Sequence, residues 1–147
     1  MTKDPISGVP EVSPDAAINA FVLVAEDEPF IISYIEDILS DAGFVPFSAE
    51  DADKAIAALN EDPARFIGLI TDIRMPAQAS GWDLARRARE LTPTMPVIYM
   101  TGDSAAGWAA NGVPNSILLQ KPFADAQLVN ALASLLNQVT ATKLGQA

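Results

Sequence analysis

Short apolar runs alternate along the chain with longer stretches of a different period. FVLVA (21–25), FVPFS (44–48), FIGLIT (66–71), PVIYM (96–100) and SILLQ (116–120) are each too short for a buried helix, and they predict five strands. Between them the apolar spacing lengthens. Ile31, Tyr34, Ile35, Ile38, Leu39 and Ala42 share one face of a helix, with Pro29 suited to its first turn and Gly43 to its termination. Further helices are predicted over roughly 50–61, 82–91, 104–111 and 124–138, the last with Leu128, Leu132, Leu135, Leu136 and Val139 along one side.

Strand and helix in strict alternation imply a parallel sheet, and uninterrupted apolar strands imply that both its faces are covered. Right-handed crossovers then give an α/β fold, a doubly wound sheet with helices on both faces. Pro46 cannot donate a ladder hydrogen bond, which places the second strand at an edge, as in the flavodoxin-like order 2-1-3-4-5. Residues 1–19 are Pro-rich and polar and read as a flexible tail; 140–147 read as a fraying end; 20–139 form one domain.

Charge and missing residue types narrow the function. Nine Lys and Arg face nineteen Asp and Glu, so a net charge of −10 repels a nucleic-acid backbone. The absence of Cys excludes disulfides and thiolate metal sites, and the absence of His excludes a histidine base or a phosphohistidine on this chain. Neither a signal peptide nor a membrane span is legible, so a cytoplasmic location with no membrane contact is expected.

The candidate chemistry lies where the strands end. Glu26-Asp27-Glu28 follows the first apolar run, Asp72 the third, Thr101 the fourth and Lys121 the fifth. In a parallel sheet these positions share the carboxyl edge, where open α/β sheets bind ligands. Taken singly, the acidic triplet also suits a helix start, Asp72 a turn, Thr101 a cap and Lys121 a solvated surface. Together they converge. Clustered carboxylates repel one another unless a hard cation sits between them, which points to Mg²⁺. A lysine and a threonine hydroxyl beside them suit phosphoryl oxygens, and a carboxylate nucleophile needs no general base.

AEDEP (25–29), TDIRMP (71–76), YMTGD (99–103) and QKPF (120–123) resemble, in order and approximate spacing over residues 20–138, the signatures of bacterial response-regulator receiver domains of the single-domain, chemotaxis-regulator type. The resemblance implies a phosphoprotein of a two-component or phosphorelay system, with Asp72 as phosphoacceptor and Thr101 and Lys121 holding the phosphoryl oxygens. It implies Mg²⁺ held by Asp27, Asp72 and the backbone carbonyl of Arg74, with Glu26 acting largely through metal-bound water. Pro122 would form a cis peptide. The donor would be a histidine kinase or histidine phosphotransfer protein. The chain contains no output domain, so the effect would be exerted through another protein; the alternative is a relay or phosphate sink that passes the group onward. Catalysis would extend only to its own phosphorylation and dephosphorylation.

The chain departs from the pattern at several points. Ser80-Gly81 stands one residue later than the usual small-residue turn, making the loop AQAS (77–80) unusual. The stretch from Thr101 to Lys121 is about two residues short of the expected span, leaving room only for a short fourth helix. Leu118 occupies a position where many members carry an aromatic ring, and Trp82 and Trp108 read as packing residues or interface anchors. Arg74 and Asp103, each two residues past a site residue, are placed to pair across the crevice. Haloacid-dehalogenase-like phosphatases need a second Asp where Arg74 stands, and a flavodoxin-type phosphate loop is absent, so neither reading fits.

Overall fold

The computed structural model describes residues 20–103 and 107–145. Five parallel strands, β1 (Phe21–Ala25), β2 (Val45–Ala49), β3 (Phe66–Asp72), β4 (Val97–Thr101) and β5 (Ile117–Gln120), form one sheet in the order β2-β1-β3-β4-β5. Five α-helices follow them in turn: α1 (Pro29–Asp41), α2 (Ala52–Glu61), α3 (Gly81–Leu91), α4 (Trp108–Asn111) and α5 (Asp125–Gly145). Pro46 lies on the edge strand opposite Val22, where its missing N–H costs no bond on the open side.

Strand geometry divides the core. Successive side chains point to opposite faces, so Leu23, Ala25, Leu69, Val97 and Tyr99 join one apolar layer beneath α2 and α3, through Ala55, Leu59, Leu84 and Ala88. Val22, Val24, Ile70, Ile98 and Met100 join the other beneath α1 and α5, through Ile35, Leu39, Leu128 and Leu132. Each fully buried Leu or Ile contributes about 1.5–3 kcal/mol, which is why runs of these residues hold a sheet covered on both faces.

Helix boundaries follow local chemistry. Pro29 opens α1, and Gly43, at φ +91°, closes it: Gly43 N–H donates to the Ser40 carbonyl at 3.1 Å and Phe44 N–H to the Leu39 carbonyl at 2.8 Å, a Schellman ending. At α3, the Ser80 hydroxyl accepts from Asp83 N–H, while the Asp83 carboxylate accepts from Ser80 N–H.

The C-terminal end departs from expectation. The apolar stripe stops at Val139, but α5 continues to Gly145, so residues 140–145 are helical where a fraying end was expected. The Thr140 hydroxyl donates back to the Leu136 carbonyl at 3.2 Å, and no Pro or Gly interrupts the helix before Gly145. The expected tail at 1–19 and part of the expected fourth helix, 104–106, lie outside the described residues. Among the described residues no helix is long and apolar enough to cross a membrane.

Candidate functional site

Parallel register brings the candidate residues to one edge. Ala25 pairs with Thr71, Asp72 with Met100 and Thr101 with Gln120, so the carboxyl ends of β1, β3, β4 and β5 are level. Glu26 and Lys121 each follow a strand by one residue.

Glu26 is buried, at 1 % exposure, and both its oxygens are engaged. Oε2 accepts from the N–H groups of Asp27 (3.1 Å) and Glu28 (3.0 Å), and Oε1 accepts from Lys121 Nζ at 2.7 Å. Asp72 Oδ1 accepts from Ile73 N–H at 2.9 Å, while Oδ2 lies 3.5 Å from Lys121 Nζ. The lysine therefore rests closer to Glu26 than to Asp72. Burial pushes the Glu26 carboxyl above its ordinary pKa against the opposing hydrogen bond from Lys121. Burial likewise raises Asp72, opposed by the Lys121 charge and the Ile73 N–H. Burial alone would lower Lys121, but its bond to Glu26 and the charges of Asp72 and Glu26 outweigh this and raise it.

Asp27 is exposed, and one oxygen from each of Glu26, Asp27 and Asp72 falls within 4.8 Å of the others. Three hard oxygen donors at that separation fit Mg²⁺. Because Glu26 already accepts three hydrogen bonds, Asp27 and Asp72 are better placed to be direct ligands.

Thr101 is buried, and its hydroxyl oxygen accepts from Asp103 N–H at 3.0 Å, leaving the hydroxyl proton for another acceptor. The Arg74 and Asp103 side chains meet at 3.0 Å across the rim although both are largely exposed, at 84 % and 61 %. Lys121-Pro122 is cis, as the motif implied. Leu118 is half-buried beside a pocket of about 240 Å³ shared with Thr101, Trp82 and Trp108. Both tryptophans pack: Trp82 against the Tyr99 ring at 4.8 Å, and Trp108 by donating from Nε1 to Ser116 Oγ at 3.0 Å.

Three supporting residues went unrecognised in the sequence. Gly81 lies so close to the end of β3 that a Cβ there would sit 2.2 Å from the Asp72 carbonyl oxygen. Tyr34 of α1 directs its hydroxyl at the Phe123 carbonyl (2.9 Å) and the Asp125 carboxylate (2.8 Å), bracing the loop after Lys121. Asp53 of α2 accepts from two amides of the loop 73–80. Only Gly81 carried a signal, as part of an oddly placed small-residue turn.

The sequence profile of the response regulator receiver domain matches residues 22–133. The response regulator receiver protein CpdR of Brucella abortus is 32% identical over 117 residues, which span 78% of this chain and 95% of that protein. The crystal structure of a response regulator receiver protein from Sinorhizobium medicae superposes with a TM-score of 0.78 at 44% identity, covering 80% of this chain and 94% of that one. A receiver domain of the sensor histidine kinase PA1611 from Pseudomonas aeruginosa shares the fold, with a TM-score of 0.70 and 23% identity over 81% of this chain and 98% of that one; its structure has a magnesium ion in the active site cleft. With the sheet order, the acidic cluster and the lysine already in register, this chain belongs to the response regulator receiver domains of two-component systems.

Proposed function

We propose that Asp72 accepts a phosphoryl group from a phosphohistidine on another protein, and that the change alters which protein this domain binds. The carrying observation is the placement of Asp72 Oδ2 beside Lys121 Nζ and within the carboxylate cluster. Oδ1 is held by Ile73 N–H, which leaves Oδ2 to attack phosphorus. The new O–P bond forms as the P–N bond to the donor imidazole breaks, and the imidazole retains the electron pair. Lys121 shifts its hydrogen bonding from Glu26 toward the phosphoryl oxygens, and the Thr101 hydroxyl donates to another. Asp27, Asp72 and the Arg74 carbonyl would hold Mg²⁺, with Glu26 near by, and the ion would supply positive charge for carboxylates and phosphoryl oxygens to share the cleft. Arg74 stands where a dehalogenase-type hydrolase would need its acid, so turnover of free phosphate esters forms no part of this reading.

A protein donor needs somewhere to dock beside Asp72. Ile31, Tyr34, Lys121, Pro122 and Phe123 line an apolar groove of about 370 Å³, and the neighbouring Phe30 is 84 % exposed. We assign this groove to the phosphohistidine-bearing protein, because it shares Lys121 with the site. Phe30→Ala is expected to slow transfer from a phosphorylated histidine kinase by about tenfold or more, yet leave phosphorylation by acetyl phosphate unchanged. Parallel rate measurements with the two donors test this, and equal effects on both would remove the docking assignment. If wild-type protein takes label from neither donor, the function itself is wrong.

The Arg74–Asp103 pair closes over the line along which water would attack the acyl phosphate. Because exposed pairs are weak, Arg74→Ala and Asp103→Ala are each expected to speed dephosphorylation by up to about fivefold, with a less than additive double variant. The four decay rates at fixed Mg²⁺ decide it. Strict additivity would mean the two side chains do not act as one gate.

A further inference from the structure

The loop between β3 and α3, residues 73–80, carries Arg74 and ends against Gly81. Two of its fastenings are local: Gly81 N–H donates to the Ile73 carbonyl at 2.9 Å, and Ser80 N–H to Asp83 at 2.9 Å. A third reaches it from another helix. Asp53, the second residue of α2, accepts from Gln78 N–H through Oδ2 and from Ala79 N–H through Oδ1, each at 3.2 Å. An acidic residue in a first helical turn ordinarily serves its own helix N-terminus. Here that N-terminus is already capped by Asp51, which accepts from Lys54 N–H at 2.8 Å, and the Asp53 carboxylate instead bridges two successive amides 25 and 26 residues away.

We infer that Asp53 is a positioning residue for the phosphorylation site: it holds the loop 73–80, and so sets where the Arg74 carbonyl and guanidinium stand. The inference rests on the proposed role of the Arg74 carbonyl toward Mg²⁺. Local fastenings fix the loop's shape, whereas the link to α2 fixes its place relative to the sheet edge. Beside it, only the exposed Arg74–Asp103 pair and the packing of Met75 and Ala79 are seen to tie residues 74–79 to other elements among the described residues.

The test uses the full chain and two readouts that do not depend on phosphorylation. Amide exchange at Gln78 and Ala79, measured without metal, is expected to quicken in Asp53→Ala. Mg²⁺ titration followed by tryptophan fluorescence, reporting from Trp82 near the loop, is expected to show affinity about three- to tenfold weaker. Asp53→Asn, which keeps one acceptor but loses the charge, should fall between Asp53→Ala and wild type. Asp51→Ala removes the α2 cap without touching the loop; it should lower the melting temperature and keep wild-type Mg²⁺ affinity. The inference is overturned if Asp53→Ala matches wild type, if Asp53→Asn is as weak as Asp53→Ala, or if Asp51→Ala weakens binding equally. A wild-type protein with no Mg²⁺ response would instead remove the metal reading, and the exchange rates would then judge the tether alone.

Discussion

Replacing Asp72 by Asn is expected to abolish phosphoryl incorporation from acetyl phosphate, and at pH 7 without metal to raise the melting temperature by roughly 2–6 °C. The first effect removes the proposed nucleophile; with Mg²⁺ present, incorporation should fall at least about a hundredfold, and excess chelator should do the same to wild type. The second follows from burial. The Asp72 carboxyl is raised above its ordinary value, chiefly by desolvation, so the folded state binds its proton more tightly than the unfolded state does. Such a group favours folding fully below its unfolded pKa, near about 3.9, and that contribution is lost as pH rises through the folded value. At pH 7 the buried charge is a cost that Asn lifts, while Glu26 keeps Lys121 paired at 2.7 Å. The gain should shrink towards zero as pH falls to about 4. Phosphate incorporation surviving in the variant would sink the phosphoacceptor assignment. A variant that melts below wild type at pH 7 would show that Lys121 needs Asp72 more than burial penalises it.

Gly81→Ala is expected to lower stability by about 3 kcal/mol, or roughly 10 °C in melting temperature. In most first helical turns this change is mild or favourable, because Ala is the better helix former. Here the added Cβ meets the Asp72 carbonyl oxygen at 2.2 Å, the Ile73 Cα at 2.8 Å and the Asp72 carbonyl carbon at 3.0 Å. All three are backbone, so no rotamer change relieves the contact. Relief requires α3 and the end of β3 to part, which moves Asp72, the proposed nucleophile. Phosphorylation should therefore fall together with stability, even below the melting transition. Thermal melts followed by circular dichroism, with phosphorylation rates at 15 °C or so, check both parts. A variant that melts within about 2 °C of wild type would show that the two elements are not locked at this contact.

The architecture was legible because burial on both faces forces long apolar strands, and because Pro46 can occupy only an edge. The site was legible because its polar residues interrupt those strands at their ends, where packing alone would have placed apolar ones. What stayed hidden depends on distance in sequence or on exact contact. Asp53 reads as an ordinary complement to a helix start, and nothing along the chain announces that its carboxylate faces residues 78 and 79. Gly81 reads as a turn glycine, since steric exclusion by Asp72 appears only once β3 and α3 are packed. The extension of α5 is not legible because the apolar stripe ends at Val139, and helical propensity alone leaves little trace in the pattern.

The sheet that separates the two apolar layers also separates two kinds of surface. The groove of Ile31, Tyr34 and Phe123 is built on the α1 and α5 layer, whereas Ile73, Met75, Ala79, Trp82 and Leu118 pack on the α2 and α3 layer. Residues without shared neighbours change stability nearly additively, so substitutions away from Lys121 on one side have little effect on the stability of the other. On the assignments proposed above, a lineage carrying this domain could exchange its upstream donor by drift on the groove side with little change at the Arg74–Asp103 rim. Duplicated copies can diverge in address before they diverge in timing.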